Sequence, residues 1–359
     1  MKAKTMAVAA VAASLLAAST GMADITIDTV SVRNPGNAGE LSGSGAGGAG
    51  SDRICGAVDY EYRIGKYEVT AGEYTEFLNE VAGVDTYGLY NSNMWSDTYG
   101  CKIERFDGSG TAADPYSYRV AEDWGNRPVN YVTWGDAARF ANWLHNGQPS
   151  GPQDANTTED GAYSLNGAMS NHALLGIIRQ ADWKWAIPTE DEWYKAAYHK
   201  NDGVTANYFN YPTSSNSAPG YVNDSGALSG TGEAFTEGGM DPGNYATYDA
   251  DGGLSGIGNP YYRTEVGEWE NSESPYGTFD QGGNLFEWNE TVFHDFFRGV
   301  RAGCFEFNIN LLHAAARKDF EQANGCQSLV GFRVVQVPEP ATLALLALGG
   351  LAVMRRRRT

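Results

Sequence analysis

Between about residues 60 and 335, glycines, aromatics and charged residues are interspersed without a break, and few stretches carry helical periodicity. The 359-residue chain has 45 Gly, 21 Tyr and 9 Trp. That mixture favours short strands and ordered loops around small helices over a helical bundle. The span is long enough for one large domain. Three helices are readable. Thr70 caps the first, with Glu73 closing a capping box ahead of Tyr74, Phe77 and Leu78. The second covers Trp134 to His145, where Ala137, Phe140, Ala141 and Leu144 recur on one face. The third runs through TEDEWYKAAYH, with Thr189 and Glu192 as a second box and Pro188 ending the strand before it. From Asn201 to Asn259 the chain is almost all Asn, Asp, Gly, Ser, Thr, Tyr and Pro. A structureless stretch of that length is usually functional or pinned by ions.

The ends are set apart from this span. Met1 to Ala23 has two lysines, an apolar run and small residues before Asp24, the layout of a secretory signal peptide. Residues 24–59 read as an N-terminal strand followed by a flexible loop, GELSGSGAGGAGS. Residues 60–336 form the main domain. Residues 337–359 begin Val337-Pro338-Glu339-Pro340, continue apolar to Met354 and end in Arg355 to Arg358. The apolar run is shorter than a comfortable span of about 17–25 residues, although flanking arginines can snorkel. The basic cluster keeps that end cytoplasmic. This tail resembles the PEP-CTERM sorting signal of Gram-negative bacteria. The resemblance implies recognition by an exosortase, transient anchoring in the inner membrane through the short C-terminal transmembrane helix, removal of the tail, and delivery to the cell surface or extracellular matrix.

Of the 25 basic and 44 acidic residues, the leader holds two lysines and residues 339–359 hold four arginines and one glutamate, which leaves 19 basic against 43 acidic residues and a net of −24 in between. Such a surface repels phosphate backbones, so no nucleic-acid partner is expected. The four cysteines, Cys55, Cys101, Cys304 and Cys326, lie in a chain read as exported, where disulfides persist, and three pairings are possible. No CxxC or close Cys/His pair points to zinc. The segment YGTFDQGGNLFEWNE from Tyr276 leaves two readings from its residues alone: a hard-cation loop of carboxylates and freed carbonyls, or a glycine turn between strands.

Six stretches stand in order: YRIGKYEVTAGEYTEFLN, RPVNYVTWGDAARFANWL, AIPTEDEWYKAA, YGTFDQGGNLFEWNE, RGVRAGCF and GFRVV. Together they resemble the formylglycine-generating enzyme or sulfatase-modifying-factor family, across nearly the whole mature chain. The resemblance implies an α+β, C-type-lectin-related fold with little regular structure, stabilised by Ca2+. It places Asp280 and Glu287 as carboxylate ligands, with Gly283 and Leu285 supplying backbone carbonyls. Active members oxidise a sulfatase cysteine with copper held by two cysteines. Those positions fall here near Phe307 and Leu312, both apolar, so a copper cofactor is not expected. Cys304 stands just before the first of them, and the favoured expectation pairs it with Cys326. Five dispersed histidines give no local iron motif.

Two function classes follow. One is a non-catalytic, Ca2+-stabilised scaffold for extracellular polysaccharide or a surface protein, with Trp183-Lys184-Trp185 and Tyr261-Tyr262-Arg263 as stacking candidates. The other is a diverged oxidoreductase working through Cys304.

Overall fold

A computed structural model describes residues 24–222, 228–229, 243–250 and 257–337. The signal-peptide reading and the C-terminal helix and arginine tail fall on residues outside these. No helix among the described residues is long and apolar enough to cross a membrane. The strands are β1 (Thr29–Val32), β2 (Glu40–Ser42), β3 (Arg53–Cys55), β4 (Tyr62–Gly65), β5 (Ile103–Asp107), β6 (Ser117–Val120), β7 (Trp185–Ala186), β8 (Tyr221–Val222), β9 (Leu228–Ser229), β10 (Phe286–Phe293), β11 (Phe297–Arg301), β12 (Lys318–Glu321), β13 (Val330–Gly331) and β14 (Val335–Gln336). The helices are α1 (Ala71–Val81), α2 (Asn93–Ser96), α3 (Trp134–His145), α4 (Asn171–Leu175) and α5 (Glu190–Tyr198).

Two four-stranded sheets organise the chain, in orders β1-β4-β14-β7 and β12-β11-β10-β13. In the first, β1 and β4 run antiparallel with Val30 opposite Ile64. In the second, β13 joins β10 in parallel, with Gly331 opposite Glu287. That pairing carries the residues after β13 back across the start of β10. The three long helices begin as the sequence predicts. Thr70, Thr133 and Thr189 each accept the N3 amide, while Glu73, Asp136 and Glu192 reach back to the cap amide. The inward faces of α1 and α3 meet in an aromatic core: Phe77 packs on Phe140 at 5.2 Å and Phe140 on Phe332 at 5.3 Å, edge to face.

The rest is loop, held by specific contacts. In its described parts, the long polar stretch is tied down by isolated bridges between His199 and Tyr208, Tyr211 and Ser215, Gly220 and Tyr245, and Thr247 and Gly283. The Gly/Ser-rich loop, expected to be flexible, is a built element. Gly43 donates to the Ala315 carbonyl at 2.8 Å and Arg317 donates to the Ala49 carbonyl at 2.8 Å. A Cβ on Gly48 would lie 2.1 Å from the Ala315 oxygen, so glycine lets this loop sit flush on the strand-side chain.

Candidate functional site

The segment after Tyr276 turns tightly into β10. Asp280, Gly283 and Asn284 all have positive φ (59°, 90° and 56°), and a Cβ on Gly283 would stand 2.2 Å from the Thr247 oxygen. The expected cation ligands are then distributed as follows. Glu287 is fully buried, and Arg333 grips both its oxygens, Nε to Oε2 and Nη2 to Oε1, each at 2.6 Å. Trp193 Nε1 adds a third bond to Oε2 at 2.7 Å. Arg333 also donates to the carbonyls of Gly65 (3.0 Å) and Phe279 (2.8 Å). Asp280 Oδ2 accepts from the Gly267 amide at 2.7 Å, and burial pushes its carboxyl up to about 6. The Leu285 amide and the Asn284 side chain both donate to Glu68, whose carboxyl is pushed up by burial and by the neighbouring Glu287 and Asp280.

At Glu287 this arrangement sets a guanidinium against the carboxylate that the resemblance offers to Ca2+. A Ca2+ ion needs six to eight oxygens with carboxylates free to face it. The Glu287 carboxylate faces a guanidinium instead, in the bidentate geometry that satisfies both. Among the described residues no group of three or more His, Cys, Asp or Glu is placed to hold a metal.

The positions of the expected copper cysteines are filled by packing. After β11 ends at Arg301 the chain turns at Gly303 (φ 70°), where a Cβ would meet Leu312 Cδ1 at 2.5 Å. Leu312 is fully buried against Ala246 and Tyr248, and the Tyr198 hydroxyl donates to its carbonyl at 3.0 Å. Phe307 sits edge-on to Phe286 at 5.6 Å. Cys304 is fully buried in the main core. The expected Cys304–Cys326 pairing is not formed, and no disulfide joins the four cysteines. Each is held by its own surroundings: Cys326 donates to the Tyr131 carbonyl, Cys101 to that of Asn130, and Cys55 lies 3.4 Å from Arg301 Nη2. Burial pushes the thiols of Cys55 and Cys326 up to about 11 and about 12, and raises Cys101 as well. Such thiols are protonated and poor nucleophiles or ligands at neutral pH.

A second buried charge centre lies at the start of α5. Glu190 receives Arg53, Arg301 and Arg317 at 2.7–2.8 Å. Burial alone would raise its carboxyl, but the guanidiniums of Arg301, Arg317 and Arg53 together outweigh it and hold the group below the ordinary carboxylate range. This centre ties β3, α5 and β11 together. In the two stacking candidates, Trp183, Trp185, Tyr261 and Tyr262 stay partly exposed, and arginines cover one ring in each. Arg179 lies 4.3 Å over Trp183, Arg127 lies 3.8 Å over Tyr261, and Arg263 is fully buried.

What the sequence reading missed is a cleft of about 410 Å³ beside the Leu312 plug. Gly47, Gly48 and Ala49 line one side, and Tyr211, Asn310, Leu311 and His313 line the other. The Tyr211 and His313 rings meet edge to face at 5.3 Å. The Ala315 amide donates to His313 Nδ1 at 3.1 Å, which leaves the proton of the neutral ring on Nε2. Burial lowers the imidazole pKa and so favours that neutral form. The residues come from three segments far apart in sequence. The one available signal was His313 directly following a position expected to carry catalytic chemistry.

Residues 57–338 match the "Sulfatase-modifying factor enzyme 1-like domain" family, and residues 336–358 match the PEP-CTERM protein-sorting motif. No curated protein matches. Similar solved structures include CarF (19% identity, 88% of this chain and 99% of that one, TM-score 0.46) and Treponema denticola variable protein 1 (19%, 86% and 95%, 0.49). PvdO from Pseudomonas aeruginosa is a third (14%, 86% and 94%, 0.46). With its α+β build of short strands, small helices and long ordered loops, the chain belongs to the sulfatase-modifying factor enzyme 1-like domain family and carries a PEP-CTERM sorting signal of the kind read by exosortase machinery.

Proposed function

We propose that this protein is a non-catalytic binding module, sorted to the cell surface, that uses the sulfatase-modifying-factor fold as a scaffold. The observation that carries this reading is Leu312, buried and wedged against Gly303 where the resemblance calls for a copper-binding cysteine. Copper(I) oxidation needs two soft thiolates facing an open position. Here the first position is the Phe307 ring, the second is the Leu312 plug, and the nearby Cys304 thiol is fully buried. What is left open beside them is a cleft whose lining, among the described residues, carries no carboxylate, amine or guanidinium. Internal ion pairs, Glu287–Arg333 and the arginines on Glu190, brace the fold around this site.

The competing reading is an oxidase acting through Cys304. Oxygen uptake by the purified protein, supplied with copper and a cysteine-containing peptide, separates the two. The binding-module reading expects no uptake above the protein-free rate. Sustained uptake that disappears in Cys304→Ser would replace it with the oxidase.

A further inference from the structure

Resting on the binding-module reading, we infer that the cleft between the Gly47–Ala49 loop and Tyr211/His313 takes an uncharged polyhydroxylated chain, a neutral glycan. Among the described residues its lining carries no Lys, Arg, Asp or Glu, in a protein with formal net charge −19. A charged ligand entering it would lose hydration and meet no opposite charge from that described lining, which is costly. An uncharged ligand with an apolar face and a polar edge meets matched groups. The partly exposed Tyr211 ring offers an apolar face for C–H stacking, held in position edge-on to His313. His313 presents a fixed Nε2–H donor, because its Nδ1 is already taken by the Ala315 amide. Asn310 is exposed on the same rim and supplies both a donor and an acceptor. The volume of about 410 Å³ falls within the roughly 300–1,000 Å³ of small-ligand sites.

The opposite wall is preformed. The loop carrying Gly47, Gly48 and Ala49 is stitched to residues 315 and 317 by backbone hydrogen bonds, and Gly48 and Gly50 approach the carbonyls of Ala315 and Arg317 too closely to allow any side chain. A ligand therefore binds without first ordering this wall, which lowers the entropic cost of association.

Native affinity electrophoresis of the full chain tests this, with dextran, galactomannan or hydroxyethyl cellulose cast in the gel and alginate as the anionic counterpart. Retardation by at least one neutral polymer is expected, unchanged by added salt. Tyr211→Ala should weaken it about tenfold, as loss of one stacking contact with its buried area does. Tyr211→Phe, which keeps the ring, should retain it and guards against a folding artefact. Retardation by none of the neutral polymers, retardation by alginate alone, or an unaffected Tyr211→Ala would overturn the glycan assignment. Binding to a protein or peptide in place of the neutral polymers would overturn it too, while leaving the binding module intact. Failure of the module itself is read separately, as Cys304-dependent oxygen uptake.

Discussion

Arg333 is 46 residues downstream of Glu287, and its guanidinium meets both carboxylate oxygens. Nothing in the local spacing of YGTFDQGGNLFEWNE reveals that contact, so the segment reads equally as a cation loop. The contact exists because β13 pairs in parallel with β10, opposite Glu287, and delivers Arg333 two residues later. Removing the guanidinium strands a fully buried carboxylate. Arg333→Met should therefore cost about 3–5 kcal/mol in urea unfolding, as breaking one side of a buried pair does. The same geometry predicts that EDTA leaves the thermal midpoint of the wild-type protein unchanged. A large drop with chelator would return a calcium ion to the Asp280 segment. Leu312 makes a parallel case. The resemblance identified the position, and the neighbouring Gly303 shows how an apolar side chain came to be accommodated there.

At the scale of elements, the helices were the most legible part, because their signals are local. Thr70/Glu73 and Thr189/Glu192 were readable as boxes, and α3 was placed at Trp134–His145 from periodicity alone. Its box with Asp136 escaped notice because aspartate replaces the usual Glu or Gln. Thr133→Ala should cost about 1 kcal/mol, the usual worth of an N-cap, measured by urea denaturation. The boxes also differ electrostatically. Burial pushes the carboxyls of Glu73 and Asp136 up to about 7, whereas Glu192, buried but paired with Arg179, is held low. For the first two, the folded pKa exceeds the unfolded one, so the folded state binds the proton more tightly. Their contribution is fully present below the unfolded pKa of about 4 and is lost as pH rises through about 7. The urea midpoint should thus fall between pH 6 and pH 8, and Asp136→Asn should flatten that slope. A midpoint that rises over this range would contradict the assignment.

Across the whole molecule, the sequence revealed which segments belong together by family resemblance but not what they build between them. The cleft joins residues 47–49, 211 and 310–313, and no periodicity links such distant stretches. The Gly/Ser-rich loop read as flexible because composition records flexibility in the unfolded chain. Its order comes from the close approach to Ala315 and Arg317, which only the fold supplies. The polar stretch after Asn201 is likewise pinned, in its described parts, by isolated bridges and the Tyr211–His313 contact. The three arginines on Glu190 set the acid limit of stability. Because that carboxyl is held below its unfolded pKa, its contribution is present above the unfolded value and disappears as pH falls through the folded one. Stability should accordingly peak in the mildly acidic range, between the loss of the Glu190 centre and the ionisation of Glu73 and Asp136.

The central claim, that the fold has given up copper chemistry, is tested most directly by titrating the reduced protein with copper(I) against a colorimetric chelator. The account predicts that the chelator keeps all of the metal, since Cys304 is buried and Phe307 and Leu312 offer no thiolate. One equivalent withdrawn by the protein, and returned to the chelator in Cys304→Ser, would contradict it.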